Sequence, residues 1–126
     1  MSLRDDLLVW IDLEMTGLDP HENTIIEIAS IITDSELSII AEGPNIVIHQ
    51  PESELQKMDE WNVSHHTSNG LIEMVRESKI NLEKAEEMTC EFLSNYCVPN
   101  TALLCGNTIG TDRLFLFFHM KKLEEF

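Results

Sequence analysis

Basic residues are scarce in this chain of 126: eight lysines and arginines stand against 23 aspartates and glutamates, a formal net charge of −15. Without a basic face there is no counterion-releasing grip on DNA, RNA or anionic membranes. A bound polyanion must be met locally, by metal ions or a few hydrogen bonds. Glycine and proline are also few, five and four, which excludes collagen-like and Pro/Gly-rich disordered compositions. Cys90, Cys97 and Cys105 are odd in number and form no Cys-x-x-Cys pair, so reduced core thiols are expected rather than a disulfide framework or a zinc site. No apolar run approaches the roughly 18 residues that cross a bilayer. Met1-Ser2-Leu3-Arg4-Asp5-Asp6 lacks the layout of a secretory signal, and a cytoplasmic protein without a membrane partner is the expectation. What remains is 43% hydrophobic and 25% charged. That composition and length fit one small globular domain and exclude two.

The apolar run Leu7 to Ile11, ending in Asp12-Leu13-Glu14, predicts a central strand covered on both faces. Gly17, Asp19-Pro20 and Asn23 mark a turn, and Ile-rich Thr24 to Thr33 predicts a second strand. Ser38 to Ala41 and Asn45 to His49, parted by Glu42-Gly43-Pro44, predict a bent or hairpin-linked third. Glu52 to Arg76 carries two or three short amphipathic helices. Ala85, Met88, Thr89, Phe92, Leu93 and Tyr96 share one helical face, with Asn81 placed to cap its start. Ala102 to Cys105 predicts a short buried strand, and Thr111 to Glu125 a helix offering Leu114, Phe117, Phe118 and Met120 to the core. The order implies an α/β fold with a mixed sheet flanked by helices, in which a helical crossover adds the fourth strand.

Asp12 and Glu14, two residues apart on a strand, project to one face with Cα atoms about 6.6 Å apart at roughly 3.3 Å per residue. At ~5 Å and an effective dielectric near 20, two carboxylates repel by roughly 3 kcal/mol, which a divalent cation relieves best. Solvated acids at a strand end are the plainer alternative. Asp112, taken alone, reads as a helix-start acid, although its place after the last strand could also turn it toward Asp12 and Glu14. An EF-hand is discounted because Asp34-Ser35-Glu36-Leu37-Ser38 lacks the glycine that the loop requires.

Trp10-Ile11-Asp12-Leu13-Glu14-Met15-Thr16-Gly17-Leu18-Asp19 resembles the first exonuclease motif of the oligoribonuclease family, within the DEDD exonuclease superfamily. Ile25-Ile26-Glu27-Ile28, Ala41-Glu42-Gly43-Pro44-Asn45, Trp61 with His65-His66, Ser68-Asn69-Gly70-Leu71 and Leu104-Cys105-Gly106-Asn107-Thr108-Ile109-Gly110-Thr111-Asp112 agree in order and spacing. The likeness covers the chain from about Leu8 onward. It implies a ribonuclease H-like fold and 3′-to-5′ removal of nucleoside monophosphates from very short RNAs by two Mg²⁺ or Mn²⁺ ions. The matching metal-binding and catalytic acids are Asp12, Glu14 and Asp112. By the same resemblance Leu18 wedges beside the terminal bases and Trp61 stacks on one. His66 and Thr108, the latter in place of the family's usual Ser, contact a 5′ phosphate.

The resemblance also implies a homodimer. It further implies a longer protein than residues 1–126, whose third exonuclease motif supplies a general-base His and a fourth Asp not found here, leaving the sheet incomplete at the C-terminus. His119 is read as a core or surface residue rather than a substitute base. Two other readings stay open: a related DNA-directed exonuclease, and a catalytically dead fragment that binds a nucleotide or dimerises.

Overall fold

Val9, Ile11 and Leu13 of β1 (Leu8–Met15) are buried, whereas Asp12 is exposed and Trp10 and Glu14 are half-buried. The strand therefore has one covered face and one open face, not the two covered faces that its apolar run predicted. The computed structural model describes residues 4–68, 70–99, 101–106 and 109–126, with the side chains of Glu60, Trp61, Ser68, Ile109 and Glu125 outside the description. β2 (Ile25–Thr33) runs antiparallel to β1, and β3 (Ile39–Val47) antiparallel to β2. β4 (Leu103–Cys105) lies parallel to β1 on its other side, giving the order β3-β2-β1-β4. Trp10 Nε1–H donates to Thr33 Oγ1 at 2.9 Å, which fixes the indole on the open face.

β3 passes through Glu42-Gly43-Pro44 as one bent strand, the first of the two alternatives, rather than as a hairpin. Its edge position tolerates a residue with no N–H, and two register shifts against β2 absorb the bend. A Cβ on Gly43 would collide with Ser30 Oγ and stand 2.6 Å from the Phe92 ring, so glycine is what lets α4 (Leu82–Ser94) lie against the sheet there. That helix starts as predicted: Asn81 Oδ1 accepts from the Lys84 N–H at 2.7 Å. Its inner face buries Ala85, Thr89 and Leu93.

Three short helices, α1 (Glu52–Leu55), α2 (Glu60–Ser68) and α3 (Leu71–Glu77), precede α4. They close over a small second cluster of Ile26, Leu55, Met58, Leu71, Ile72 and Val75. The main core lies between the sheet and α4, α5 (Ile109–His119) and α6 (Lys121–Glu125).

The last segment departs from expectation in two ways. One helix was predicted, but the backbone breaks at Met120 (φ −138°, ψ 62°), and α6 is held by its Leu123 N–H donating to buried Glu86 Oε2 at 3.2 Å. Phe115, Leu116, Met120 and Leu123 enter the core, while Leu114, Phe117 and Phe118 are exposed. β4 was read as buried, yet Leu103 is 67% exposed, because β4 is the sheet's terminal strand.

The three cysteines are free thiols. Burial, then the nearby charge of Glu86, pushes Cys90 up to about 11 against a smaller opposing effect of Lys122, which keeps it in the unreactive protonated form.

Candidate metal and nucleotide site

Asp12 and Glu14 stand on the open face of β1, separated by Leu13, which turns into the core. The antiparallel register sets Glu14 opposite Glu27 and Asp12 opposite Ala29. Glu27 is therefore a third carboxylate on this face, missed by sequence reasoning because cross-strand neighbours are invisible until the register is known. Burial first, then the charges of Glu14 and Asp12, pushes the Glu27 carboxyl above the usual carboxylate range.

The sign of this shift yields a stability expectation. A raised folded-state value means that the native state holds the Glu27 proton more tightly. The associated stability is complete below the ordinary range of about 4.3 and is lost as pH rises through the raised value. Glu27→Gln is thus expected to melt at a higher temperature than the parent at pH 7, with the gap closing toward pH 4, in thermal scans without divalent ions. A lower melting temperature for the variant at pH 7 would contradict it.

Asp112 enters from the other side. It lies in the first turn of α5 and is 5% exposed. A Cβ on Gly106 would stand 3.0 Å from the Ile11 carbonyl oxygen and 3.1 Å from Asp112 Oδ2. The missing side chain at Gly106 thus lets the Asp112 carboxylate approach β1 one residue from Asp12. Asp12, Glu14 and Asp112 are all hard oxygen donors, but among the described residues the one grouping of three ligand atoms within 4.8 Å of one another is Glu14, His65 and His66, not these three acids.

Leu18 lies in the loop after β1 and is 79% exposed. The loop is tied down by Thr16 N–H to Thr24 O (3.0 Å), Thr24 N–H to Thr16 Oγ1 (3.0 Å) and Asn23 N–H to Asp19 O (2.7 Å). A Cβ on Gly17 would strike the Asn23 side chain, so the exposed leucine is held on a braced turn. His119 Nε2–H donates to Pro20 O at 3.0 Å and its ring stacks on Phe115, fastening α5 to this loop.

His66, on α2, is 1% exposed, and its Nε2–H donates to the Met15 carbonyl at 3.0 Å. His65 beside it is exposed. One ligand atom from each of Glu14, His65 and His66 lies within 4.8 Å of the others. His65 is the second residue that sequence reasoning left without a role. Trp61 sits on α2 with its side chain outside the described residues, and Thr108 lies outside them entirely.

A mixed β3-β2-β1-β4 sheet flanked by helices, with two acids on the inner strand β1 and a buried aspartate in the first turn of α5, defines the class: a ribonuclease H-like α/β nuclease fold. The family model described as Exonuclease (RNase_T) matches residues 9–126. The chain is 56% identical over 126 residues to the Oligoribonuclease of Vibrio parahaemolyticus, spanning all of this chain and 70% of that protein. It is 57% identical over 121 residues to the Oligoribonuclease of Marinobacter nauticus, 96% of this chain and 67% of that protein. To that of Photobacterium profundum it is 50% identical over 126 residues. The chain belongs to the exonuclease family, in its oligoribonuclease group. That family of hydrolases is generally dependent on divalent metal ions. Among the described residues no helix is long and apolar enough to cross a membrane.

Proposed function

We propose that residues 1–126 form one exonuclease domain acting on short oligoribonucleotides from the 3′ end, yielding nucleoside 5′-monophosphates. The observation that carries this reading is the buried Asp112 carboxylate beside Gly106, next to the Ile11 carbonyl of β1. Asp12, Glu14 and Asp112 would hold two divalent cations, Mg²⁺ or Mn²⁺. Two divalent cations held there would supply an activated water and charge neutralisation at a phosphodiester.

The chain's own residues supply the rest. Leu18, on its braced turn, presents an apolar edge to a terminal base, and Trp61 offers a stacking surface that accepts any base at about 1–3 kcal/mol. His66 and Thr108 are assigned to the 5′ phosphate, which limits the substrate to dinucleotide size. A net charge of −15 repels longer RNA, so a fragment short enough to lie on the cations gains most. A homodimer belongs to the same reading. So does a cytoplasmic setting, which the free thiols suit. The His base that the resemblance implies lies outside these 126 residues, and a positioned base typically contributes ~10²–10⁴ in rate.

The test is divalent-dependent binding of an RNA dinucleotide by the purified chain, with and without Asp12→Ala, alongside a matching DNA dinucleotide and a long RNA. Tight binding of the RNA dinucleotide only with Mg²⁺ or Mn²⁺, lost in Asp12→Ala, is expected, with turnover weak or undetectable. Binding that ignores both metal and Asp12 would overturn the reading. Preference for DNA would move the chain to the DNA-directed exonucleases.

A further inference from the structure

We propose that Glu14, His65 and His66 form a second metal site, which takes a borderline transition ion such as Zn²⁺ in preference to Mg²⁺. One ligand atom from each residue already lies within 4.8 Å of the others, the one such grouping among the described residues. A tetrahedral site with bonds of about 2.1 Å needs its ligand atoms about 3.4 Å apart. The remaining contraction falls on exposed His65 and half-buried Glu14 rather than on buried His66. The two imidazoles come from consecutive residues of α2, yet their rings meet edge to face with centroids 5.1 Å apart, both at the end of β1.

The protonation of His66 is set by its neighbour. A backbone carbonyl only accepts, so the 3.0 Å contact with Met15 O places the proton on Nε2. In the neutral ring, Nδ1 is then the nitrogen bearing the lone pair. A metal-binding histidine is normally oriented in this way, one ring nitrogen donating to a carbonyl while the other faces the ion. Met15 directly follows Glu14, so one stretch of β1 both carries the carboxylate and orients the ring. Two imidazoles and one carboxylate suit Zn²⁺, with the fourth position left to solvent on the exposed His65 side. Mg²⁺ prefers oxygen donors and its own waters.

Glu14 belongs to both sites, and so does His66, whose one remaining ring nitrogen cannot serve the ion and the 5′ phosphate at once. Resting on the proposed exonuclease reading for this consequence alone, an ion held by the histidines draws Glu14 away from Asp12 and Asp112, so Zn²⁺ acts as an inhibitor of the Mg²⁺-dependent enzyme.

The test titrates Zn²⁺, and Co²⁺ as a coloured surrogate, into the purified chain and into His65→Gln and Asp12→Asn, with circular dichroism reporting the fold. Loss of a ligand should cost at least the about 10- to 100-fold that loss of an outer-shell partner costs. His65→Gln is therefore expected to bind Zn²⁺ at least tenfold more weakly and to lose the nitrogen-ligated Co²⁺ absorption, while Asp12→Asn keeps both. Mg²⁺ affinity should follow the opposite pattern, unchanged in His65→Gln and lowered in Asp12→Asn. Equal Zn²⁺ affinity in parent and His65→Gln, absence of Zn²⁺ binding to the parent, or its abolition by Asp12→Asn would each overturn the site. If Zn²⁺ follows the expected pattern while Mg²⁺ ignores Asp12→Asn, the histidine site stands and the exonuclease assignment of Asp12 fails.

Discussion

Asp112→Asn is expected to erase the thermal stabilisation that Mn²⁺ gives the parent chain. A ligand that binds only the native state at about a hundred times its dissociation constant stabilises by ~2.7 kcal/mol. For a domain of this size that corresponds to a rise in melting temperature of roughly 10 °C. Asparagine preserves the shape of the side chain but removes the charge that faces β1, so the variant should still fold and show little of that rise. Under the proposed exonuclease function, loss of several kcal/mol of cation-mediated stabilisation corresponds to a fall in rate on the order of 10²–10⁴. Scanning calorimetry of parent and variant across a Mn²⁺ series measures the first effect. Equal shifts in the two proteins would remove Asp112 from the site.

The second large effect is structural. Phe115 is fully buried, in the main cluster between sheet and helices, and lies one helical turn after Asp112 on α5. Phe115→Ala removes a ring from a close-packed interior and should cost about 3–5 kcal/mol, a large share of the roughly 5–15 kcal/mol that holds a typical domain together. Because the ring anchors the turn that carries Asp112, the variant should also lose Mn²⁺ affinity where it remains folded. Urea denaturation measures the cost, and a loss below about 1 kcal/mol would show that the ring is not an anchor.

Much of this architecture was readable in the chain. Strand 25–33, the Asn81 cap and the parallel return at residues 103–105 follow from period, capping chemistry and the need for a crossover. The failures share a physical cause: a local pattern does not reveal which neighbour covers a face. Leu7 to Ile11 is apolar throughout, yet β1 is covered on one side only. Periodicity on α5 does not say which side meets the sheet, and the side that buries Phe115 rather than Phe117 does. For the site, Asp12 and Glu14 share a face by strand geometry alone, whereas the nearness of Asp112 to β1 beside Gly106 depends on the fold and leaves no mark in spacing. Glu27 depends on cross-strand register, and His65 on the contact between α2 and the end of β1, neither of which leaves a trace in sequence spacing.

The brevity of β4 bears on behaviour at high concentration. A terminal strand exposes backbone amides and carbonyls that can recruit a foreign strand, the first step of aggregation. With three residues, and Leu103 as its one strongly exposed apolar side chain, β4 offers too few such groups to act as a template. Lengthening this strand with β-branched residues would turn a harmless border into a nucleus for fibrils.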